Sequence, residues 1–338
     1  MKPCITDTSA NTNTETAGTF GAETECSAAA EQETRKRKID VVRKQYGLPY
    51  QGSKTLVAKW IVEQLPSAET FVDLFAGGCA VTHAAILSGK FNRFVLNDIT
   101  PFPSYFISAA TGNVDIENVT PPSSQEFKRN IGKNPLLDLC FSFGSTGNDY
   151  LYSLENESIK LYAEKLILEQ SEERRRLLFR KFATALTEYF HETGTIPPGL
   201  ETLKGVERLA RVFKLRNLRP YINASEIVVT QLDYRNVPIP PNSTVYADPP
   251  YARTKRYGKQ RPFNTSAFSI WLESTPFPVF VSEYTLPKCC KQINEIEVLK
   301  KLCGNTGKHR TERLGVQKRF FDEVVAKTNP ELFKEHKK

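Results

Sequence analysis

Long apolar runs are missing from this chain of 338 residues. No stretch approaches the roughly 18 consecutive apolar residues of a membrane-spanning helix, and the first residues lack the apolar segment of a secretory signal. A soluble protein with no membrane partner is expected. Histidine is scarce, with four residues and no pair at ligand spacing. The seven cysteines (Cys4, Cys26, Cys79, Cys140, Cys289, Cys290, Cys303) are odd in number and form no C-x-x-C pair. This gives little support to a metal site or a disulfide framework; reduced thiols in a cytosol fit better. The G-x-G-x-x-G spacing of dinucleotide binders is also absent, which argues against NAD or FAD chemistry.

What is present is 40% apolar residues, enough to build a core for one large domain or two. The net charge is +8, but residues 1–34 hold one Lys against one Asp and five Glu, so they carry −5 and the remainder carries +13. A strongly basic body favours a polyanion partner, with a plainly solvated surface as the competing account. The first 34 residues are rich in Thr, Ala, Glu and Asn and cannot bury enough to order themselves, so residues 1–40 read as a disordered tail. Arg35-Lys36-Arg37-Lys38 is equally consistent with a nucleic-acid arm and a solvated linker.

From Lys54 onward, helix-like and strand-like segments alternate: a helix near 53–65, a strand at Thr70–Phe75, a helix near 79–89 and a strand at Arg93–Leu96. The alternation predicts βαβ units on a parallel sheet. Strand-like runs return at Glu226–Leu232, Thr244–Ala247 and Pro278–Ser282, with weaker ones at Glu295–Leu299 and Arg313–Phe320. Between them lies a stretch rich in Leu, Glu, Lys and Arg, free of Pro from Leu136 to Ile196, where long helices are expected. The chain thus divides into the tail, an α/β domain from 41–105 and 226–330, and a helical insert at 106–225. In one insert helix, Leu203, Val206, Leu209, Ala210 and Phe213 fall on one side as the expected core stripe. Lys204, Arg208, Arg211 and Arg219 fall on the other, a solvated face or a site of phosphate contact.

Asp248-Pro249-Pro250-Tyr251 closes the apolar run Ser243–Ala247. Two prolines remove two donors and fix two φ angles, so the chain leaves the sheet rigidly and presents an acid at the strand's C-terminal end. An acid, a carbonyl-rich turn and an aromatic face can grip a planar, amino-substituted ring, which points to a nucleic-acid base. Phe71-Val72-Asp73-Leu74-Phe75-Ala76-Gly77-Gly78-Cys79 reads as strand, glycine turn and helix start, with backbone N–H groups open to a ligand. Asn97-Asp98 ends the next strand, where a carboxylate can accept both hydroxyls of a ribose. In Tyr50-Gln51-Gly52-Ser53-Lys54, the plain structural account has Ser53 capping a helix and Lys54 in solvent. After Tyr251, the basic residues Arg253, Lys255, Arg256, Lys259 and Arg261 lie on an expected loop suited to DNA-backbone contact.

The order of these motifs, completed by Ser282-Glu283-Tyr284, resembles the S-adenosylmethionine-dependent DNA adenine N6-methyltransferases whose cofactor motif precedes the catalytic Asp-Pro-Pro-Tyr. Phage and prophage members are especially similar, and the resemblance covers about residues 46–320. It implies a Rossmann-like methyltransferase sheet with helices on both faces and a helical target-recognition insert. It further implies that Tyr50 and Lys54 line the cofactor site, Gly77 and Gly78 approach its methionine part, and Asp98 holds its ribose. Asp248 then sits where cofactor and base meet, with Pro249 and Tyr251 completing the catalytic turn. Asp233-Tyr234 resembles the segment beside the cofactor's adenine. One departure is Cys79, where many members have a third glycine.

The implied partner is double-stranded DNA, with a restriction endonuclease as a further partner class, in the cytoplasm of a bacterial or phage-infected cell. Asp at the first motif position favours adenine, since related enzymes acting on cytosine's amine usually carry Ser there. Transfer to cytosine and a non-catalytic DNA-binding scaffold are the competing readings.

Overall fold

Val72, Val95, Val245, Val279 and their neighbours lie in short, nearly continuous apolar runs, the pattern of strands covered on both faces. In the computed structural model, which describes residues 45–116, 118–250, 263–300 and 308–328, these runs build a 7-stranded sheet. Its strands are β1 (Thr70–Asp73), β2 (Arg93–Asn97), β3 (Glu226–Thr230), β4 (Ser243–Ala247), β5 (Val279–Glu283), β6 (Cys290–Lys300) and β7 (Lys308–Gln317). The order is β3-β2-β1-β4-β5-β7-β6. The first five run parallel, and β7 lies antiparallel between β5 and β6. Strand order reverses between β1 and β4, so the C-terminal ends of these two strands flank the crevice in which open α/β sheets bind ligands. The final strand is one place where the sequence expectation slips. β7 begins at Lys308 and ends at Gln317, and Lys318–Phe320 form a short 3-10 turn.

Alternation sorts the strand residues into two cores. Phe71, Phe94, Leu96, Tyr246 and Phe280 point to one face, under α1 (Ala58–Gln64), α2 (Ala80–Ser88) and α3 (Phe102–Thr111). Val72, Leu74, Val95, Val245, Ala247, Val279 and Val281 point to the other.

The insert supplies α4 (Ser124–Asn130), α5 (Pro135–Phe141), α6 (Leu154–Leu168), α7 (Glu172–Thr193), α8 (Lys204–Lys214) and α9 (Arg219–Asn223). After it, α10 (Thr265–Ser274) covers the second face through Phe268 and Leu272, and α11 (Phe321–Thr328) joins the first through Phe321, Val324 and Val325. The insert is rooted in the first core, because Phe127, Leu136, Phe141, Leu209 and Val212 share a cluster with Phe71 and Phe94. By contrast, α7 has no buried residue. Among the described residues no helix is long and apolar enough to cross a membrane.

α8 is turned relative to the face expected from its sequence. Its buried residues are Gly205, Leu209 and Val212, while Phe213 is 46% exposed. The half-buried Arg208 and Arg211 face inward. Arg208 donates from Nη1 to the carbonyls of Cys140 (3.0 Å) and Ser142 (2.7 Å). Arg211 donates from Nε to the carbonyl of Gly47 at 2.9 Å and from Nη2 to that of Tyr46. These donors of Arg208 and Arg211 meet backbone acceptors that an apolar stripe at the same positions would leave unpaired, which gives both arginines a structural role beside the phosphate contact expected of them.

The Tyr46–Gly47 segment is fixed by more than Arg211. The N–H of Tyr46 donates to the Thr55 hydroxyl at 2.7 Å, and that of Gly47 donates to His83 Nδ1 at 3.0 Å. Burial and the Arg211 charge push the His83 imidazole down to about 4, so it stays neutral and Nδ1 remains an acceptor. Replacing Arg211 by Met removes a clamp on two carbonyls. Urea denaturation is expected to show a loss of about 2–4 kcal/mol, against a change within about 0.5 kcal/mol for exposed Arg180→Ala.

Candidate active site

Four parallel strands deliver acids to one edge of the sheet: Asp73 ends β1, Asp98 follows β2, Asp248 follows β4 and Glu283 ends β5. Between β1 and α2 the chain must turn sharply. Gly77 has φ +47° and Cys79, the N-cap of α2, has φ 58°. Both lie in the left-handed region, which costs a residue with a Cβ about 1–2 kcal/mol and explains why a third glycine suits this position. Gly78 has a different reason to be glycine. A Cβ there would lie 2.6 Å from Cβ of Tyr50, and the Gly78 carbonyl accepts the Leu48 N–H at 2.7 Å. The closeness expected between this turn and a ligand is thus, at Gly78, closeness to the chain's own Tyr50 segment.

Asp98 braces the same turn. Oδ2 accepts the Gly77 N–H at 2.8 Å, while Oδ1 accepts the Thr100 N–H at 2.8 Å and hydroxyl at 2.7 Å. Burial raises its carboxyl pKa and these three hydrogen bonds oppose the rise. A carboxylate oxygen has more than one acceptor direction, so Oδ2 retains capacity for a ligand hydroxyl. Beside it, Asn97 ties three strand ends together. Nδ2 donates to the carbonyls of Leu74 and Leu232, and Oδ1 accepts from the Leu232 N–H and the Thr230 hydroxyl. Asp233 holds Arg235 through both carboxylate oxygens, and Tyr234 sits in an aromatic cluster with Phe75, Phe263, Phe268 and Trp271.

Lys54 is where the plain structural account fails. Its side chain is 6% exposed, and Nζ lies 2.8 Å from Asp248 Oδ1 and 3.4 Å from Glu312 Oε1. Ser53 does not cap α1, which begins at Ala58 with Val57 as N-cap; the N–H groups of Val57 and Ala58 donate to the Lys54 carbonyl. Burial lowers the Lys54 pKa, but Asp248 and then Glu312 more than reverse this, holding it above the ordinary lysine value. Pro249 is buried directly after Asp248. Next door, the Tyr246 hydroxyl and Ser282 Oγ are hydrogen-bonded at 2.6 Å. Tyr251, Arg253, Lys255, Arg256, Lys259 and Arg261 lie outside the described residues, as do residues 1–44 with Arg35–Lys38.

Two carboxyls at this edge are pushed up to about 7, chiefly by burial: Asp73 and Glu283. Asp73 is 1% exposed; Oδ2 accepts the Thr82 hydroxyl at 2.7 Å, the Phe75 N–H also favours the ionised carboxylate, and Oδ1 has no hydrogen bond of good geometry among the described residues. Neither the burial of Asp73 nor the role of Glu312 is anticipated from the motifs. Glu312 leaves a trace in strand periodicity, since it falls on the same face of β7 as Leu314 and Val316, both of which are fully buried.

A family model described as D12 class N6 adenine-specific DNA methyltransferase matches residues 50–275. The chain belongs to this family. No curated protein matches it. The methyltransferase transfers a methyl group to N6 of adenine in DNA, with S-adenosylmethionine as donor. The residues at the sheet edge fit that donor. Its sulfonium and ammonium are cationic, and this edge of the sheet brings together Asp248 and Glu312, both paired with the Lys54 ammonium, Glu283 within electrostatic reach of Lys54, and Asp73 and Asp98, which sense each other's charge.

A carboxyl with a raised pKa binds its proton more tightly in the folded methyltransferase than in the unfolded chain. The stability this gives is full below about pH 4, the unfolded value, and fades as pH rises through about 7. Asp73→Asn is expected to flatten the fall in unfolding free energy between about pH 4 and 7 in urea titrations at stepped pH. An unchanged slope would contradict the buried, raised Asp73.

Proposed function

We propose that Asp248 and the Pro249 carbonyl each accept one N–H of the adenine amine, with the target base turned out of the duplex into the crevice beside β4. Adenine's amino nitrogen is a poor nucleophile because its lone pair is delocalised into the ring. Two acceptors placed on its hydrogens draw it toward tetrahedral geometry and aim the lone pair. S-adenosylmethionine, when bound, supplies an electrophilic sulfonium methyl. The observation that carries this reading is the 2.8 Å contact between buried Lys54 and Asp248, which fixes the carboxylate of the Asp-Pro-Pro-Tyr turn at the strand end. Positioning of this kind does much of the work when reactants are aligned, and extruding the base costs a few kcal/mol.

Around that centre, Tyr50, Lys54, Gly77, Gly78 and Asp98 hold the donor, and Tyr251 stacks on the extruded base. Asp98 keeps acceptor capacity toward ribose, and Gly77 is held to it by its own N–H. The basic residues Arg253, Lys255, Arg256, Lys259 and Arg261 grip the duplex backbone. The insert acts as the target-recognition element: α7 has no fully buried residue and carries the exposed Arg174, Arg175, Arg176, Arg180 and Lys181 on its N-terminal half. In this reading the enzyme works on double-stranded DNA in the cytoplasm of a bacterial or phage-infected cell, where a restriction endonuclease of the same specificity is a natural companion.

Incubation with methyl-labelled S-adenosylmethionine and duplex DNA, followed by nucleoside analysis, is expected to place the label on N6-methyladenine. Asp248→Asn is expected to lower the single-turnover rate by about a hundredfold or more while DNA affinity stays within a few fold of wild type. A variant as fast as wild type would overturn the role of Asp248.

A further inference from the structure

Glu312 lies on β7, beyond the residues matched to the family, and the motifs do not mark it. It is 3% exposed and paired in register with Ile296 across the β6–β7 ladder. An ionised acid at such a place is costly unless it is paired. One partner is Lys54 Nζ, at 3.4 Å, and in the sheet β5 separates β7 from β4, the strand that supplies Asp248. One carboxylate would suffice to neutralise the ammonium. Two, from strands at different places in the sheet, place it between fixed points.

We propose that Glu312 is a positioning residue for methyl transfer: acting through Lys54, it holds the ammonium against Asp248 and so fixes the carboxylate that receives the adenine amine. The inference rests on the role of Asp248 given above. Among the described residues, the charged and titratable groups facing Lys54 are Asp248 after β4, Glu312 on β7 and Tyr284 after β5, with Glu283 beside them. Lys54, Glu312 and Tyr284 line one small cleft together with Gly52, Ser53, Leu56, Val57 and Val298. A cation between two carboxylates stays protonated to higher pH than one beside a single carboxylate, and burial then cannot discharge it. Glu312 therefore does two things at once. It keeps Lys54 charged, and it keeps Nζ on the Asp248 side of the crevice.

The test uses the full chain and reads two quantities. The first is the titration of Lys54 in the cofactor-free protein, followed by the ¹³Cε shift of labelled lysine and assigned with Lys54→Met. The second is the single-turnover transfer rate against pH. In Glu312→Gln the Lys54 titration is expected to fall by about one pH unit or more, and the alkaline fall in transfer rate is expected to move down with it. Glu312→Asp, which keeps the charge one methylene further back, should show both changes in smaller measure. It also decides the matter if the Gln variant does not fold.

If the rate limb stays in place while the lysine titration moves, Glu312 is only a structural partner and the proposal is overturned. An unmoved titration overturns it as well. A failure of the Asp248 reading is distinguishable, because it appears as full activity in Asp248→Asn whatever Glu312 does.

Discussion

Taking an ammonium ion out of water costs several kcal/mol, and Lys54 is nevertheless almost fully buried. It persists there because β4 and β7 each bring a carboxylate to it. Much else in the site follows from this placement. For Lys54 to reach the edge of the sheet, the segment from Tyr46 must cross the glycine turn, and that crossing requires Gly78 to lack a side chain. It also requires the backbone of Tyr46 and Gly47 to be pinned, which Arg211, His83 and Thr55 accomplish from three directions. The insert thereby supports this edge of the sheet through α8.

The edge gathers more negative than positive charge among the described residues, and burial makes the imbalance costly. Asp73 and Glu283 meet that cost by holding protons near neutral pH. A ligand that brings positive charge relieves it. This edge of the sheet is therefore electrostatically suited to a sulfonium donor.

Much of this was readable in the chain. The parallel sheet followed from apolar runs separated by helical segments, and the edge acids followed from Asp98 and Asp248 standing at strand ends. The family and its chemistry were legible because several short motifs occur in one order, and the match over residues 50–275 establishes them. What escaped depends on three-dimensional company. Helical periodicity placed Arg208 and Arg211 in solvent, because a pattern of charge cannot show that backbone carbonyls from Tyr46–Gly47 and Cys140–Ser142 wait beneath them. Ser53 and Lys54 resembled an ordinary helix start, and only the approach of Asp248 and Glu312 from distant parts of the chain removes Lys54 from water. Glu312 itself is a single acid in a strand whose limits were misjudged at its first residues.

The claim that Lys54, fixed by two carboxylates, organises the place where donor and base meet is tested most directly by a crystal structure with S-adenosylhomocysteine bound. The account predicts the ligand along the C-terminal ends of β1, β2 and β4, between Gly77 and Asp248, with Lys54 still bonded to Asp248. A ligand seated elsewhere, or Lys54 swung into solvent with the ligand bound, would contradict it.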